Sequence, residues 1–392
     1  MSEELVTAVI LAAGEGRRLE PLTNRRPKPM IPVANRPLLE YVVEAVAEAG
    51  LDHITLVVGY HQERIRNHFG DGDDWGVTIE YVEQATQLGT GHAVLQAEPV
   101  IDGPFIVLNG DRVVEPALVK RVAEATREGE HPTMAITTAE TPREYGVVGF
   151  DGEHVTEIVE KPDWPVETNR INAGVYGFSP AIFEAIRNTN TNGELALTAA
   201  LDELTDKTDG VNGITYTGRW LDVSNLWDLL TVNAGLIDTE ATVVNESRVD
   251  SASVSIAADV VMADSVRVGP SVTIGGNTAV GQNVTVEANA VVENTIVFPD
   301  AVIGAGAVVR DAVVANNARI GSNVTIEGTP STIVIEDTVH HDIELGGVVG
   351  DNADIGPGAT LTTGAIVGDD VETDAGVIID SRVAAGATVR RG

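Results

Sequence analysis

From residue 256 onward an apolar residue returns every six positions: Ile256, Met262, Val268, Ile274, Val280, Val286 and Val292. After a slip the series resumes at Ile296, Val302, Val308, Val314, Ile320 and Ile326, then at Ile343, Val349, Ile355, Leu361 and Val367, and last at Val371, Val377, Val383 and Val389. Six is neither the period of an α-helix nor the alternation of an ordinary strand. It is the period of a chain that turns a corner after each short strand and stacks every coil on the one before. Small or acidic residues often follow the repeated one, as in Val268-Gly269, Ile274-Gly275 and Ile355-Gly356. Residues 237–392 are therefore expected to form a parallel β-helix.

Residues 1–236 read differently. Strand-like and helix-like segments alternate, which predicts an α/β domain around a mostly parallel sheet. Leu38, Leu39, Val42, Val43, Val46 and Ala49 fall at helical spacing, and Gly50 closes that helix. Residues 54–58, 77–82 and 105–111 read as strands, the last ending in Gly110-Asp111. The chain has no cysteine, which excludes disulfides, thiolate metal sites and cysteine nucleophiles. Its 59 acidic residues against 25 basic ones give a net charge of −34. An acidic surface of this kind repels nucleic acid and anionic membranes and stays hydrated in concentrated salt, so neither partner is expected and a halophilic source is. The N-terminus shows no basic leader and no apolar run reaches the length of a membrane span, so a cytoplasmic protein is expected.

The densest chemistry lies just after the first apolar run, residues 6–13. There the chain breaks at Gly14 and Gly16 into a loop carrying Arg17, Arg18, Arg25, Arg26 and Lys28, stiffened by Pro21, Pro27 and Pro29. Glycines let backbone N–H groups approach a phosphate, and the cations supply opposite charge. A Walker A loop would need Gly-Lys-Ser/Thr after Gly16, and a dinucleotide fingerprint a third glycine where Leu19 stands; neither is present. Lys28 and Lys161 are two of only four lysines, with Lys120 and Lys207. In a chain so poor in lysine, their place inside motifs points to function. Gln84 offers a donor and an acceptor that match the imide edge of uracil or thymine; the same stretch also reads as a polar turn with Thr90 as a helix N-cap. Asp111 and Asp222 each end a strand, where a carboxylate can hold a metal, cap a helix or simply turn the chain.

The run from Leu11 to Val33 resembles the signature of the sugar-1-phosphate nucleotidyltransferases, although Arg17 stands where that family often has Ser or Thr. The resemblance implies a Rossmann-like domain followed by a left-handed β-helix. It places Leu11, Ala12, Ala13, Gly14 and Gly16 along a nucleoside triphosphate, Arg18 on its phosphates and Lys28 at the reacting ones. Residues 83–93 resemble the base-reading segment of N-acetylglucosamine-1-phosphate uridylyltransferases, which sets Gln84 on the pyrimidine with Gly89 and Thr90 beside it. By the same resemblance Asp111 and Asp222 hold Mg²⁺, whose usual shell of one or two carboxylates, water and phosphate needs no more. Gly146, Glu160, Lys161, Asn172 and Thr198 would meet a sugar-1-phosphate, with Lys161 on its phosphate; Asn172 before Ala173-Gly174 is also ordinary turn chemistry. Ala196, in the segment 193–198, replaces an aromatic usual in acylamino-sugar enzymes, and leaves glucose-1-phosphate and N-acetylglucosamine-1-phosphate both open.

The expected reaction joins UTP or dTTP to a hexose-1-phosphate with loss of pyrophosphate, in a homo-oligomer assembled through the β-helix. Two other readings stand beside it. One is a non-catalytic subunit, against which the retained Arg18, Lys28, Asp111 and Asp222 speak. The other is a second, acetyltransferase activity in the β-helix. Against that, aligning Val349-Gly350-Asp351 with the acetyltransferases' motif puts Leu345 and Val348 where they carry His and Tyr, and leaves His340 and His341 on a loop.

Overall fold

The computed structural model describes residues 6–129, 131–189, 195–205, 210–237, 253–335 and 338–391. Its contacts divide the chain into two compact units. The first comprises residues up to Glu15, Pro27–Met30 and Leu38–Asp222; the second comprises Gly16–Arg26, Ile31–Pro37 and the chain from Val223. Composition changes only after Leu236, but the helix Asp228–Leu236 already packs with the second unit. Its Asn233 is fully buried, accepts from the Ala34 N–H at 2.8 Å and donates to the Asn277 carbonyl at 2.7 Å.

The strands of the first unit are β1 (Thr7–Ala12), β2 (His53–Val58), β3 (Thr78–Glu83), β4 (Phe105–Asn109), β5 (Arg112–Val114), β6 (Thr133–Thr138), β7 (Gly146–Phe150), β8 (Val155–Glu160), β9 (Arg170–Phe178), β10 (Asn212–Thr215) and β11 (Trp220–Asp222). Its helices are α1 (Leu38–Glu48), α2 (Gln62–Phe69), α3 (Thr90–Gln96), α4 (Pro116–Glu128), α5 (Ile182–Asn188) and α6 (Leu197–Thr205). Nine strands form one sheet along the path β8-β7-β9-β4-β1-β2-β3, with β6 and β10 branching from β9; β5 and β11 form a separate ladder. The sheet is parallel from β4 through β1 and β2 to β3. It turns antiparallel where β9 runs against β4, β6 and β7, so the sheet expected to be mostly parallel is parallel in one half and in the β6–β10 pair.

Side-chain alternation along β1 sorts its residues into two cores. Ala8, Ile10 and Ala12 pack with Leu39, Val42 and Val46 of α1, while Val9 and Ala13 pack with Ala93 and Val94 of α3. The α1 helix stops as its sequence predicts: Gly50 takes φ +82°, its N–H bonds the Ala47 carbonyl at 3.0 Å, and the Leu51 N–H reaches Val46 at 3.3 Å. Only glycine enters this left-handed position without a Cβ penalty. Neighbouring β1 and β4 lead away in opposite directions across the sheet, and a crevice opens beyond their carboxyl ends, as open α/β sheets require.

In the second unit three seven-stranded parallel sheets stack coil upon coil, forming the expected parallel β-helix. Its core is a column that includes Val280, Val286, Val292, Val297, Ile303, Val309, Val314, Ile320 and Ile326. The inward positions after Val292 are thus Val297, Ile303 and Val309, not Ile296, Val302 and Val308 as the six-residue count predicts. Pairing shows why: Val280 faces Val297 and Val286 faces Ile303, a coil one residue shorter than its predecessors, and a one-residue slip exchanges inward and outward faces. Ile343 also leaves the series. It ends the second strand of an antiparallel hairpin, Ser331–Ile335 with Thr338–Ile343, inserted between coils. Many corners are asparagine or aspartate at positive φ, among them Asn283 (59°), Asn289 (61°) and Asn323 (58°). These two residue types tolerate the left-handed region best after glycine, which is how a coil bends without one at every corner.

Candidate active site

The crevice in the first unit is built at the ends of β1 and β4, where Leu11 pairs with Asn109. Beyond that pair the Gly110 N–H donates to the Leu11 carbonyl at 2.9 Å, and a Cβ at Gly110 would lie 2.8 Å from the same oxygen. Only glycine lets the two chains run this close, and the approach fixes where Asp111 emerges. Lys28 opens the short 3-10 turn Lys28–Met30 and forms an ion pair with the Asp111 carboxylate. Burial alone would raise the Asp111 pKa, but Lys28 and then Arg112 outweigh it and hold the carboxyl below its ordinary value. Asp111 is therefore an anion at neutral pH.

A cleft of about 370 Å³ follows, lined among others by Leu11, Gly14, Lys28, Gln84, Thr90 and Asp111. Ala13 and Gly89 also line it, so eight of the candidate site residues read from the sequence converge there. Ala12 does not: strand alternation turns its side chain into the core beneath α1. Gln84 is buried, its amide nitrogen 3.3 Å from the Gly89 carbonyl and 3.0 Å from the His92 ring. Gln87, which the sequence did not single out, lines the same cleft and donates to the Ala13 carbonyl at 2.7 Å. Thr90 begins α3, and its hydroxyl accepts from the Leu197 N–H at 3.1 Å, tying residues 83–93 to the segment that carries Thr198. Thr198 itself is half-buried in α6; Gly193 and Glu194, quoted with it, lie outside the described residues.

Asp222 sits opposite Arg112 in the β5–β11 ladder, one residue from Asp111. The Arg112 Nε donates to Asp222 Oδ1 at 3.3 Å, its Nη1 donates to the Asn172 carbonyl at 3.2 Å, and its guanidinium lies 5.6 Å from the Trp220 ring centre. Burial opposes the Arg112 charge, yet Asp222 and Asp111 outweigh it and raise the pKa further. Arg112 thus holds one candidate metal ligand and neighbours the other; a cation directly after Gly-Asp in a base-poor chain was the available signal. Among the described residues no cluster of three or more acidic or histidine side chains forms a closed metal cage. Two carboxylates brought together across the β5–β11 ladder fit a cation that keeps water and takes phosphate oxygens, which is the habit of Mg²⁺.

On the antiparallel side, Gly146 pairs with Glu160, and a Cβ at Gly146 would stand 3.0 Å from Glu160 Oε2. Lys161 is exposed at φ +42°, its N–H bonded to the Tyr145 carbonyl at 3.1 Å. Asn172 is buried in an irregularity of β9, where its amide donates to the Tyr176 hydroxyl at 2.6 Å and its oxygen accepts from the Gly174 N–H at 2.9 Å. The turn role open to it from sequence is thus filled. In the second unit, Gly16 takes φ +73° and its carbonyl accepts from the Thr23 hydroxyl at 2.9 Å, while Arg18 lies exposed in the 3-10 turn Arg17–Leu19. Arg25 and Arg26, counted with the phosphate-binding charge, are instead paired with Asp370 and Asp351.

An open α/β sheet with its crevice at a strand switch, followed by a β-helix of hexapeptide coils, defines a two-unit class of protein. Within it, this chain belongs to the nucleotidyl transferase family, whose model matches residues 7–239; residues 256–388 match the model of the GMPPB C-terminal domain. Bifunctional protein GlmU of Methanocaldococcus jannaschii is 40% identical over 234 residues, 59% of this chain and 54% of that protein. The low-salt glycan biosynthesis nucleotidyltransferase Agl11 of Haloferax volcanii is 35% identical over 252 residues, 63% of this chain and 70% of that one. A solved UDP-glucose pyrophosphorylase complexed with UDP-glucose superposes with a TM-score of 0.53 at 25% identity, over 59% of this chain and 98% of its own. The chain spans about half the length of the GlmU relatives it matches.

Proposed function

We propose that this chain transfers a nucleotidyl group from UTP or dTTP to a hexose-1-phosphate, glucose-1-phosphate or N-acetylglucosamine-1-phosphate, and releases pyrophosphate. The observation that carries the reading is the Lys28–Asp111 pair in a cleft that Gln84 also lines. The sugar phosphate is already an anion, so no catalytic base is needed. Its oxygen attacks the α-phosphorus, the new O–P bond forms as the bond to the bridging oxygen breaks, and that electron pair leaves with pyrophosphate. Lys28 meets the charge that builds on the phosphates, Arg18 holds them, and Lys161 neutralises the incoming sugar phosphate. Asp111 and Asp222 would hold Mg²⁺, which when bound supplies further positive charge opposite the triphosphate.

Pyrophosphate release from four nucleoside triphosphates crossed with a panel of sugar-1-phosphates, in molar potassium chloride to suit the acidic surface, tests this. UTP or dTTP should outpace ATP and GTP by at least tenfold, because a purine presents a larger ring and a different edge to Gln84. Faster turnover with a purine nucleotide removes the base assignment. No helix among the described residues is long and apolar enough to cross a membrane.

The β-helix is read as an assembly element, not a second catalyst. Leu345 and Val348 are fully buried, and Asp351 is taken by Arg26. His340 and His341 stand on a hairpin strand, not on the loop expected; His340 packs on Trp227 at 4.8 Å and His341 lies 3.1 Å from the Thr332 hydroxyl. A general base must reach the acceptor amine, and no histidine stands at the motif position. Acetyl-CoA with glucosamine-1-phosphate should release no free thiol above background; release abolished by His340→Ala or His341→Ala refutes this assignment.

A further inference from the structure

The segment Gly16–Arg26 is gripped by late coils of the β-helix. The Arg26 Nη2 reaches both oxygens of Asp351, at 2.6 and 2.5 Å, with each side chain about 6% exposed, and the guanidinium lies 5.1 Å from the Phe298 ring centre. Arg25 donates to Asp370 at 2.5 Å and Asn24 to Asp369 at 2.9 Å. In return Arg382 donates to the Glu20 carbonyl at 3.0 Å. The acceptors form a stack: the Asn316 N–H donates to Asp351 Oδ1 at 3.0 Å, and the Asp351 N–H donates to Asp369 Oδ1 at 2.8 Å. Three consecutive loop residues therefore meet three carboxylates on two successive coils, Asp351 on one and Asp369 and Asp370 on the next.

Stability alone is a poor account of this arrangement. A buried ion pair gains little over apolar packing of the same volume, because desolvation offsets its attraction. Here Arg26 Nη1 is buried with no hydrogen-bond partner among the described residues, which adds to the cost. What a buried pair does supply is register, since a charge accepts only one position for its counter-charge. The same loop carries Gly16 and Arg18 and continues directly from Gly14 in the cleft lining. We propose that the β-helix is the template that sets the path of this loop, with Arg26 and Asp351 as positioning residues for Arg18, the residue that the functional reading assigns to nucleotide phosphates. The kinetic part rests on the functional reading above; the docking part does not.

Asp351→Asn keeps shape and removes the charge, Asp370→Asn loosens an exposed contact without risk to folding, Arg26→Lys keeps the charge, and Asp354→Asn changes an exposed coil acid away from the loop. KM for each substrate and kcat are measured beside the rate of tryptic cutting after Arg17, Arg18 and Arg25 without substrate. Asp351→Asn should raise KM for the nucleotide about tenfold while kcat and KM for the sugar phosphate stay within twofold, and should speed cutting at least tenfold. Asp370→Asn should show about threefold on both readouts, Arg26→Lys, which keeps the charge but not the guanidinium, should lose less than Asp351→Asn, and Asp354→Asn should match wild type. Cutting no faster than wild type in both Asp351→Asn and Asp370→Asn overturns the docking. A fall in kcat with both KM values unchanged means loss of folded enzyme and overturns the positioning role. If wild type turns over no sugar phosphate, the functional reading fails, and the cutting rates still decide the docking.

Discussion

Asp111→Asn and Asp222→Asn are each expected to lower kcat by about 10² to 10³, or roughly 3–4 kcal/mol of transition-state stabilisation, with the fold intact. An amide oxygen keeps the shape of the carboxylate but lacks the charge that holds a hard cation. The two variants should differ in one respect. Asp111→Asn leaves Lys28 without its anion, whereas in Asp222→Asn Arg112 still bonds the Asn172 carbonyl and neighbours Asp111. Added Mg²⁺ should therefore rescue Asp222→Asn further than Asp111→Asn. Rates measured across a Mg²⁺ titration, with thermal unfolding of each variant as the control, decide the matter. Near wild-type turnover of both variants at saturating Mg²⁺ removes the metal assignment.

The second large effect is expected at Lys28. Lys28→Ala should lower kcat at least a hundredfold, and Lys161→Ala should raise KM for the sugar phosphate about tenfold or more, a charge-assisted contact being worth about 2 kcal/mol. Lys120, exposed on α4, should tolerate alanine with less than twofold change. Lys28 stands apart because its side chain is 15% exposed and paired with Asp111, on backbone stiffened by Pro27 and Pro29, so its charge acts where little water screens it. Lys161 is exposed and reaches its place through a backbone turn at positive φ. Its contribution is therefore expected to be to capture more than to chemistry. Equal losses for all three lysines would falsify the argument from lysine scarcity; Lys207, the fourth, lies outside the described residues.

What could be read in advance depended on how local the cause was. The α1 boundaries, the strand ends that carry Asn109 and Asp111, and the repeat itself are written in spacing and in glycine, and they stand in the structure. Register in the β-helix was hidden because Val302-Ile303 and Val308-Val309 are apolar doublets: either member satisfies a count of six, and only the neighbouring coil chooses. The partners of Arg25 and Arg26 were hidden for a different reason. A guanidinium in a glycine-rich loop looks the same whether phosphate or carboxylate awaits it, and the carboxylates here lie more than 300 residues along the chain. Gln87 and Arg112 act by reaching a backbone carbonyl or a facing strand, which composition does not encode.

The grip on residues 24–26 also imposes an order of events at birth. Those residues leave the ribosome early, but Asp351, Asp369 and Asp370 must be translated before the grip can close. At roughly 5–20 residues per second, the segment waits on the order of 15–70 s with its counter-charges unmade. Sheet pairing between β1 and β4 needs only the first 109 residues and is open to the nascent chain long before. Maturation of the loop is thus a late step, timed by synthesis of coils that contain none of the residues assigned to the reaction.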